Sequence, residues 1–533
     1  MKLQNQTNKI LGKDWLHYHP YDKTTLVDNY YITLCDSVLK IIQKSEITGY
    51  LDDLKDEKLL SCLLVAYFED VISETRLFST FTRQHKKMYG KELPFYEISD
   101  GYYDDEINLQ DIYFLIWYHI ALRDEEVVVD PYFENNPDFN DAVLEIYNLF
   151  DHEFENAPQN ENLQNFLQLS AGSDVRTVRE KLSFIAQKSF LWKAVFDEYF
   201  RETVEKYMKN GKVVLDEHNN VMIYDQQINF IFNECMPLLS MRPNEYYAEL
   251  LGDGHAEYQF IKNISKRIAG CFLIRKIEKD GFLIEHLSSK KQLWLSNEFT
   301  SLEGIKLVEN ESVLTIGLVR WRDDVWQNQG GCAINKIYDM KGKDVSEHLF
   351  DDENEKKKFV GNLEKAFLEL TNGKRIIYVR GVRDYAEFTL KLYRKHAKLI
   401  DAKITDKELN NRYKNFAETV ERSVPFERDE AIGVFFNPKS GVELYREGVV
   451  SCMSDKDNPH YAHEEFDLSD LLTINTLSKE FIDFAIENDL IKLCIDGYEN
   501  PNMFNIVMEN FDFLLRFYRR SSYFSKPEVT IKS

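Results

Sequence analysis

The residues best suited to holding a ligand lie in Lys374-Arg375-Ile376-Ile377-Tyr378-Val379-Arg380-Gly381-Val382-Arg383-Asp384. The stretch reads as a strand, a glycine turn and a helix that continues through Lys391, Arg394, Lys395 and His396. Backbone amides at such a turn, the positive end of a helix and guanidinium forks all favour anions. Arg375, Arg380, Gly381, Arg383 and Arg394 are therefore the anion-binding candidates. The spacing is neither that of a phosphate loop nor that of a Gly-rich dinucleotide fingerprint. The competing assignment spends Arg380 and Arg383 on nearby carboxylates and leaves Lys391, Arg394 and Lys395 on a solvated helix face.

Three other constellations have the residue types for chemistry. Trp321 and Trp326, with Arg320 and Arg322 at the end of an expected strand, are candidates for stacking a base or a peptide side chain. The alternative has the two indoles closing a small barrel, with the arginines paired to Asp323 and Asp324. Asp104-Asp105-Glu106, followed by Asn108 and Asp111, offers clustered carboxylates for a divalent cation or an acid/base pair. The same residues also spell a helix start, with Asn108 as N-cap and Asp111 at the third helical position. His460 and His463, among Asp455, Asp457, Glu464 and Glu465, have a His-x-x-His spacing that gives at most a weak metal site. Asn458-Pro459 marks that run as a loop, and His17-x-His19 is weaker still. No metal and no cofactor is implied. Gly-x-Ser-x-Gly, Walker-type and kinase-type signatures do not occur, which leaves the question of an enzyme open.

The elements that would position these residues follow from composition and period. A chain of 533 residues, 44% apolar and 14% aromatic, can fill several cores. Its net charge of −24 disfavours DNA, RNA and anionic lipid except through a local basic patch. The seven cysteines are scattered without a Cys-x-x-Cys pair and read as free thiols in a reducing compartment. The start lacks a secretory pattern, and the most apolar window, Ile112 to Leu122, is too short to span a bilayer. A cytoplasmic protein is expected, and the heavy use of Asn, Lys, Phe and Tyr suits an AT-rich bacterial genome.

Apolar residues at three- and four-residue spacing, such as Leu34, Val38, Ile41 and Ile42, predict an all-α domain over 1–210. A mixed connector over 211–269 starts with a hairpin of Val213-Val214-Leu215 and Val221 to Tyr224 about Asn219-Asn220, and continues with helices. Short strands and tight turns predict a small β-barrel-like module over 270–345, with Trp294 or Trp321 inside. An α+β domain over 346–533 holds helices at 353–371, 384–399, 405–423, 467–488 and 502–520. It also holds the strand Ile376 to Val379 and a hairpin of Ile432 to Phe436 with Val442 to Tyr445. The fold class is multidomain α+β.

Several phrases carry a resemblance. They are Asp105-Glu106-Ile107-Asn108-Leu109-Gln110-Asp111-Ile112 with Phe114 to Trp117, Ala157-Pro158 with Asn160-Glu161, and Met236 to Pro243. The ending Asp512 to Phe517 with Tyr523 to Pro527 adds to them. The chain resembles an uncharacterised protein family of Bacteroidetes known as a domain of unknown function. The resemblance implies a bacterial intracellular protein and transfers no activity and no residue role.

These observations favour a non-enzymatic binding or scaffold protein, whose partner is another protein or a small anionic ligand, away from membranes. The rivals are an enzyme acting on a phosphorylated or nucleic-acid substrate through the basic stretch at 374–396, and a component of a bacterial defence or mobile-element system.

Overall fold

The computed structural model describes residues 8–96, 102–123, 137–209, 212–213, 216–298, 306–322, 324–340, 353–400, 405–408, 410–411, 414–415, 429–494 and 501–524. The fold is mixed α+β, helical in its N-terminal part with sheets later. Two compact units divide the chain: residues 1–349 with 505–520, and residues 350–504 with 521–533.

In the first unit, α1 (Gly12–Trp15), α2 (Leu26–Ile42), α3 (Leu54–Ile72), α4 (Leu77–Tyr89), α5 (Leu109–Ala121), α6 (Pro137–Glu153), α7 (Glu161–Leu167), α8 (Val175–Gln187) and α9 (Lys193–Glu205) come first. A two-residue antiparallel ladder follows, β1 (Met208–Lys209) with β2 (Lys212–Val213), and then α10 (Glu217–Asn233), α11 (Pro243–Leu251) and α12 (Tyr258–Lys262). Polar caps start the helices. Thr25 and Asp28 cap each other reciprocally at α2, and the Asp53 carboxylate takes the N–H of Lys55 and Asp56 at α3. Helix α5 is buried on every side from Asp111 to Ala121, which makes the apolar run Ile112 to Leu122 the centre of a core. Trp117 at its middle meets Phe95 at 4.8 Å and Phe517 at 4.9 Å between ring centroids; Phe517 lies on a late helix, Phe511–Arg519, of the same unit. Among the described residues no helix is long and apolar enough to cross a membrane.

The expected hairpin at 213–224 is replaced by a helix. Asp216 accepts the N–H of Asn219 at 2.7 Å, so Asn219-Asn220 forms the first turn of α10 instead of a β-turn, and Val221 to Tyr224 continue it. The buried Ile228, Ile231 and Phe232 then repeat at helical spacing. Val213 pairs with Met208 in the short ladder, while Val214 and Leu215 lie outside the described residues.

Strands β3 (Ile268–Ile277), β4 (Gly281–His286), β5 (Gln292–Ser296), β6 (Ser312–Arg320) and β7 (Val325–Lys336) close in the order β3-β4-β5-β7-β6. All pairings are antiparallel except β5 with β7, which closes the ring through Trp294↔Val325 and Leu295↔Trp326. Phe272, Ile284, Leu295, Leu314 and Ile316 are buried on these strands. Gly281 permits the close approach of β4 and β5, since a Cβ there would stand 2.9 Å from the Trp294 ring and 2.4 Å from the Leu295 carbonyl.

In the second unit, β8 (Ile376–Arg380), β9 (Ala431–Asn437) and β10 (Gly441–Tyr445) form an antiparallel sheet in the order β10-β9-β8. Helices α13 (Glu353–Leu370) and α14 (Gly381–Leu399) cover it, and Leu363, Phe367, Tyr385, Leu392, Val434 and Phe436 make the shared core. The strand, the glycine turn and the helix expected at 376–399 are all present. Gly381 adopts φ 72°, a region that glycine enters without strain, and its N–H bonds the Glu430 carbonyl at 2.8 Å. Of the expected helix at 405–423, Thr405 precedes the helix, the residues 406–408, 410–411 and 414–415 are helical, and the rest lie outside the described residues. The expected helix at 467–488 is two helices, Leu468–Thr473 and Lys479–Glu487, and that at 502–520 is likewise two, Pro501–Glu509 and Phe511–Arg519.

All seven cysteines are free thiols; Cys35, Cys62, Cys235 and Cys452 are buried, while Cys271, Cys332 and Cys494 are half-buried. Burial pushes the Cys332 thiol up to about 11, which slows its thiolate chemistry. Titration with a thiol reagent should therefore find seven groups in denatured, unreduced protein and no more than three reacting before unfolding. Fewer than seven in the denatured sample would mean that a disulfide exists.

Candidate functional site

Helices α3, α4 and α5 converge on a cleft of about 620 Å³. The C-terminal half of α3 contributes Tyr67 and Asp70, α4 contributes Phe78, Thr82 and Arg83, and the approach to α5 contributes Tyr102 and Asp104-Asp105-Glu106. Phe154 and Glu155 complete the wall. Glu74, Asp104, Asp105, Glu106 and Glu155 are exposed along it, as are Arg76 and Arg83. A larger hollow of about 830 Å³, lined by Ser45 to Tyr50 and by Asp141 and Glu145, has no buried titratable side chain in its wall.

Two buried carboxylates build the cleft. Arg76 stands at the N-cap of α4 with φ 64° and supplies no cap, so Asp70, from the end of α3, accepts the N–H groups of Leu77 at 2.8 Å and Phe78 at 2.7 Å. The Thr75 hydroxyl adds a third, very short bond to the same carboxylate. Burial nevertheless pushes Asp70 up to about 6. Asp111 was expected to close a capping box with Asn108. Its carboxylate instead accepts the hydroxyls of Tyr67 at 2.7 Å and Tyr102 at 2.9 Å and the Asn108 side-chain amide at 3.1 Å. Asn108 holds the preceding loop, donating to the carbonyls of Tyr103 at 2.9 Å and Glu106 at 3.1 Å. Burial pushes Asp111 up to about 7 against these three donors, and the charge of Asp104 adds to the rise. Asp104 itself accepts the Thr82 hydroxyl at 3.2 Å.

The other candidates lie elsewhere and are mostly engaged. Arg375 pairs with Glu364 at 2.8 Å, and Arg394 bonds the Asn410 amide oxygen at 3.0 Å with Asp406 at 3.9 Å. Lys374 and Lys395 pair with Asp457 and Glu369, each at 2.6 Å. Arg383 is exposed, with Glu387 at 3.9 Å, and Arg380 is exposed with no ion pair among the described residues. Trp321 is buried, edge-on to Phe260 at 5.0 Å, and Trp326 lies half-buried in β7. Arg320 lies 3.8 Å from Asp324, as the barrel-closing alternative expected, while Arg322 pairs with Glu257 at 2.6 Å and its guanidinium lies 3.6 Å over the Phe260 ring. Asp323 is outside the described residues. His460 is half-buried and His463 exposed, and among the described residues neither belongs to a three-ligand cluster.

Among the described residues one such cluster exists, and spacing gave little sign of it. His19, Asp28 and Glu69 are buried with their ligand atoms within 4.8 Å of one another. Their lone pairs are taken: Asp28 accepts Trp15 Nε1 at 2.9 Å, the Tyr21 hydroxyl at 3.0 Å and Thr25 N–H at 2.6 Å. Glu69 lies 2.8 Å from His19 Nε2 and accepts Asn160 Nδ2 at 2.9 Å. Burial opposes the His19 charge, but the Glu69 carboxylate and its hydrogen bond raise the imidazole above its ordinary value. The group reads as a closed structural network.

A helical part built around an acid-lined cleft, joined to β-rich segments, thus defines the class of protein. Residues 9–272, from α1 into β3, match the family described as a protein of unknown function (DUF3843). No curated protein and no solved structure matches the chain.

The raised Asp111 sets a pH dependence. Its carboxyl titrates at about 7 when folded and near 3.8 when unfolded, so between those values the folded state binds more protons. Stability from this group is present in full at the acid end and is lost as pH rises through 7. Buried His85 and His119, both held down to about 4, act in the opposite sense below pH 6.5, so the readout is the difference between wild type and Asp111→Asn in urea unfolding. From about pH 5 to 7 the stability of the wild type relative to the variant should fall by up to about 1.4 kcal/mol per pH unit. A variant with an unaltered slope would show that Asp111 ionises normally.

Proposed function

We propose that the protein is a binding or scaffold protein, and that the cleft between α3, α4 and α5 receives a cationic segment of a partner protein. The supporting observation is the pairing of depth with charge: a hollow of about 620 Å³ with Asp104, Asp105 and Glu106 exposed at its edge. Volumes of this size suit a side chain or a short peptide turn. The walls are stiff, because Asp70 ties α3 to α4 and Asp111 ties α3 to α5 through Tyr67. A rigid cleft binds without an ordering cost of its own. Asp70 and Asp111 spend their oxygens on internal donors, which suits a wall better than an exposed base. Arg76 and Arg83 limit what fits: a ligand that turns its cation toward Asp104 can offer those arginines a carbonyl or carboxylate.

Fluorescence anisotropy with a short lysine-rich peptide tests the reading, with a matched glutamate-rich peptide as control. The wild-type protein should bind the lysine-rich peptide alone, less tightly as salt rises. Asp104→Asn/Asp105→Asn/Glu106→Gln should lose at least about tenfold in affinity, since the loss of even one charge-assisted bond costs about 1.5–3 kcal/mol. Equal binding by wild type and variant, or none by wild type, overturns the proposal.

A further inference from the structure

Two smaller hollows adjoin on another face of the same helical unit. One, of about 380 Å³, lies among α1, the start of α9 and the end of α8, and Lys13, His17, Lys188 and Lys193 line it together with one carboxylate, Asp22. The other, of about 390 Å³, lies between α8 and α10, over Phe184, Ile228 and Ile231 with Tyr224 at its edge. Gln187, Lys188 and Gln227 belong to both.

The two ends differ in chemistry. At the first, the Lys193 ammonium is engaged by Asp197, which also lies 3.1 Å from His17 Nε2. Lys13 has no ion pair among the described residues, and Lys188 has only Asp22 at 3.5 Å, itself 95% exposed. Two ammonium groups therefore stand available, on a chain whose net charge is −24. Such a local reversal concentrates anions. At the second end, Phe184, Ile228 and Ile231 are buried in the wall of the hollow, and Tyr224 at its edge is 43% exposed. Between them, the Gln227 side-chain amide has no partner among the described residues, and Gln187 donates only a long 3.5 Å bond to the Gln227 carbonyl. Carboxamides carry both donors and acceptors and so read the polar edge of a flat heterocycle.

We propose that these joined hollows form a binding site for a nucleoside phosphate. The phosphate lies between Lys13 and Lys188, the base lies against Tyr224 and the apolar floor, and Gln187 and Gln227 address its edge. Lysine suits the phosphate as a compact point charge, and stacking on an aromatic face is tolerant of the base's identity. The site is separate from the acid-lined cleft and does not depend on it.

Calorimetric titration with adenosine monophosphate, adenosine and inorganic phosphate tests this. The monophosphate should bind saturably in the micromolar to millimolar range, tighter than either part alone. Lys13→Ala/Lys188→Ala should weaken it about tenfold or more and leave adenosine unchanged, while Tyr224→Ala should weaken the monophosphate and adenosine together. All three side chains are at least partly exposed, so unchanged circular dichroism is expected for both variants. The proposal is overturned if the wild type does not bind the monophosphate at millimolar concentration. It is equally overturned if phosphate binds as tightly as the monophosphate, or if the double lysine variant retains wild-type affinity.

Discussion

Helix α5 has no solvent face, and its one carboxylate therefore has to be accommodated inside the protein. An unpaired ionised group in such a place costs several kcal/mol, so Asp111 needs donors, and Tyr67 and Tyr102 supply them from outside its own helix. That requirement draws α3 and the 102–106 loop against the start of α5. Asp70 works in the same way one turn further along α3, where it takes the backbone N–H groups that Arg76 leaves uncapped at α4. The cleft is the space that remains between elements positioned by two buried acids. Its exposed carboxylates are held at the edge because the loop that carries them is fastened by Asn108.

Net charge conceals this arrangement. The helical unit sets an acidic edge on one cleft and several lysines on another hollow, and within a Debye length of about 10 Å each site feels mainly its own neighbours. In the second unit, the cations around β8 and α14 are largely spent on Glu364, Glu369, Asp406 and Asp457. Exposed pairs of this kind contribute little to stability. Arg380 is the exception, exposed at the N-cap of α14.

What the sequence made legible follows the range of the interaction. Period and turn chemistry identify α5, the strands from Cys271 to Trp321, the strand-glycine-helix at 376–399 and the hairpin of β9 and β10, because each is determined within a few residues. Asn219-Asn220 was misread because a turn pair and a helix first turn share their residue types; Asp216, three positions before Asn219, decided between them. The acidic cluster was visible as a cluster, but the partner of Asp111 is Tyr67, 44 positions away, and no local pattern reports that contact. For the same reason His19 could be read only with its neighbour His17, as a weak His-x-His motif, although its carboxylate partner Glu69 lies 50 positions on. The lysine-lined hollow had no signal at all, since Lys13 and Lys188 line it from segments far apart in the sequence.

Buried titratable groups in this chain fall into two kinds, and the difference separates wall from site. His19 with Asp28 and Glu69 is closed, as is Glu443, whose carboxylate accepts Asn437 at 2.7 Å, Ser440 at 2.6 Å, Tyr445 at 2.5 Å and Ser478 at 2.7 Å. A ligand would have to displace those donors to be felt. Asp70 and Asp111 are equally well bonded but border open space, so a charge arriving in the cleft changes their surroundings without breaking a bond. A cation beside Asp104 favours the ionised form of Asp111, since opposite charge at short range lowers a carboxyl's proton affinity. By linkage the ionised protein must then hold that cation more tightly than the protonated one does. Proton affinity and ligand affinity in the cleft are therefore two readings of one field, and the carboxyl that orders the helices is the group that couples them.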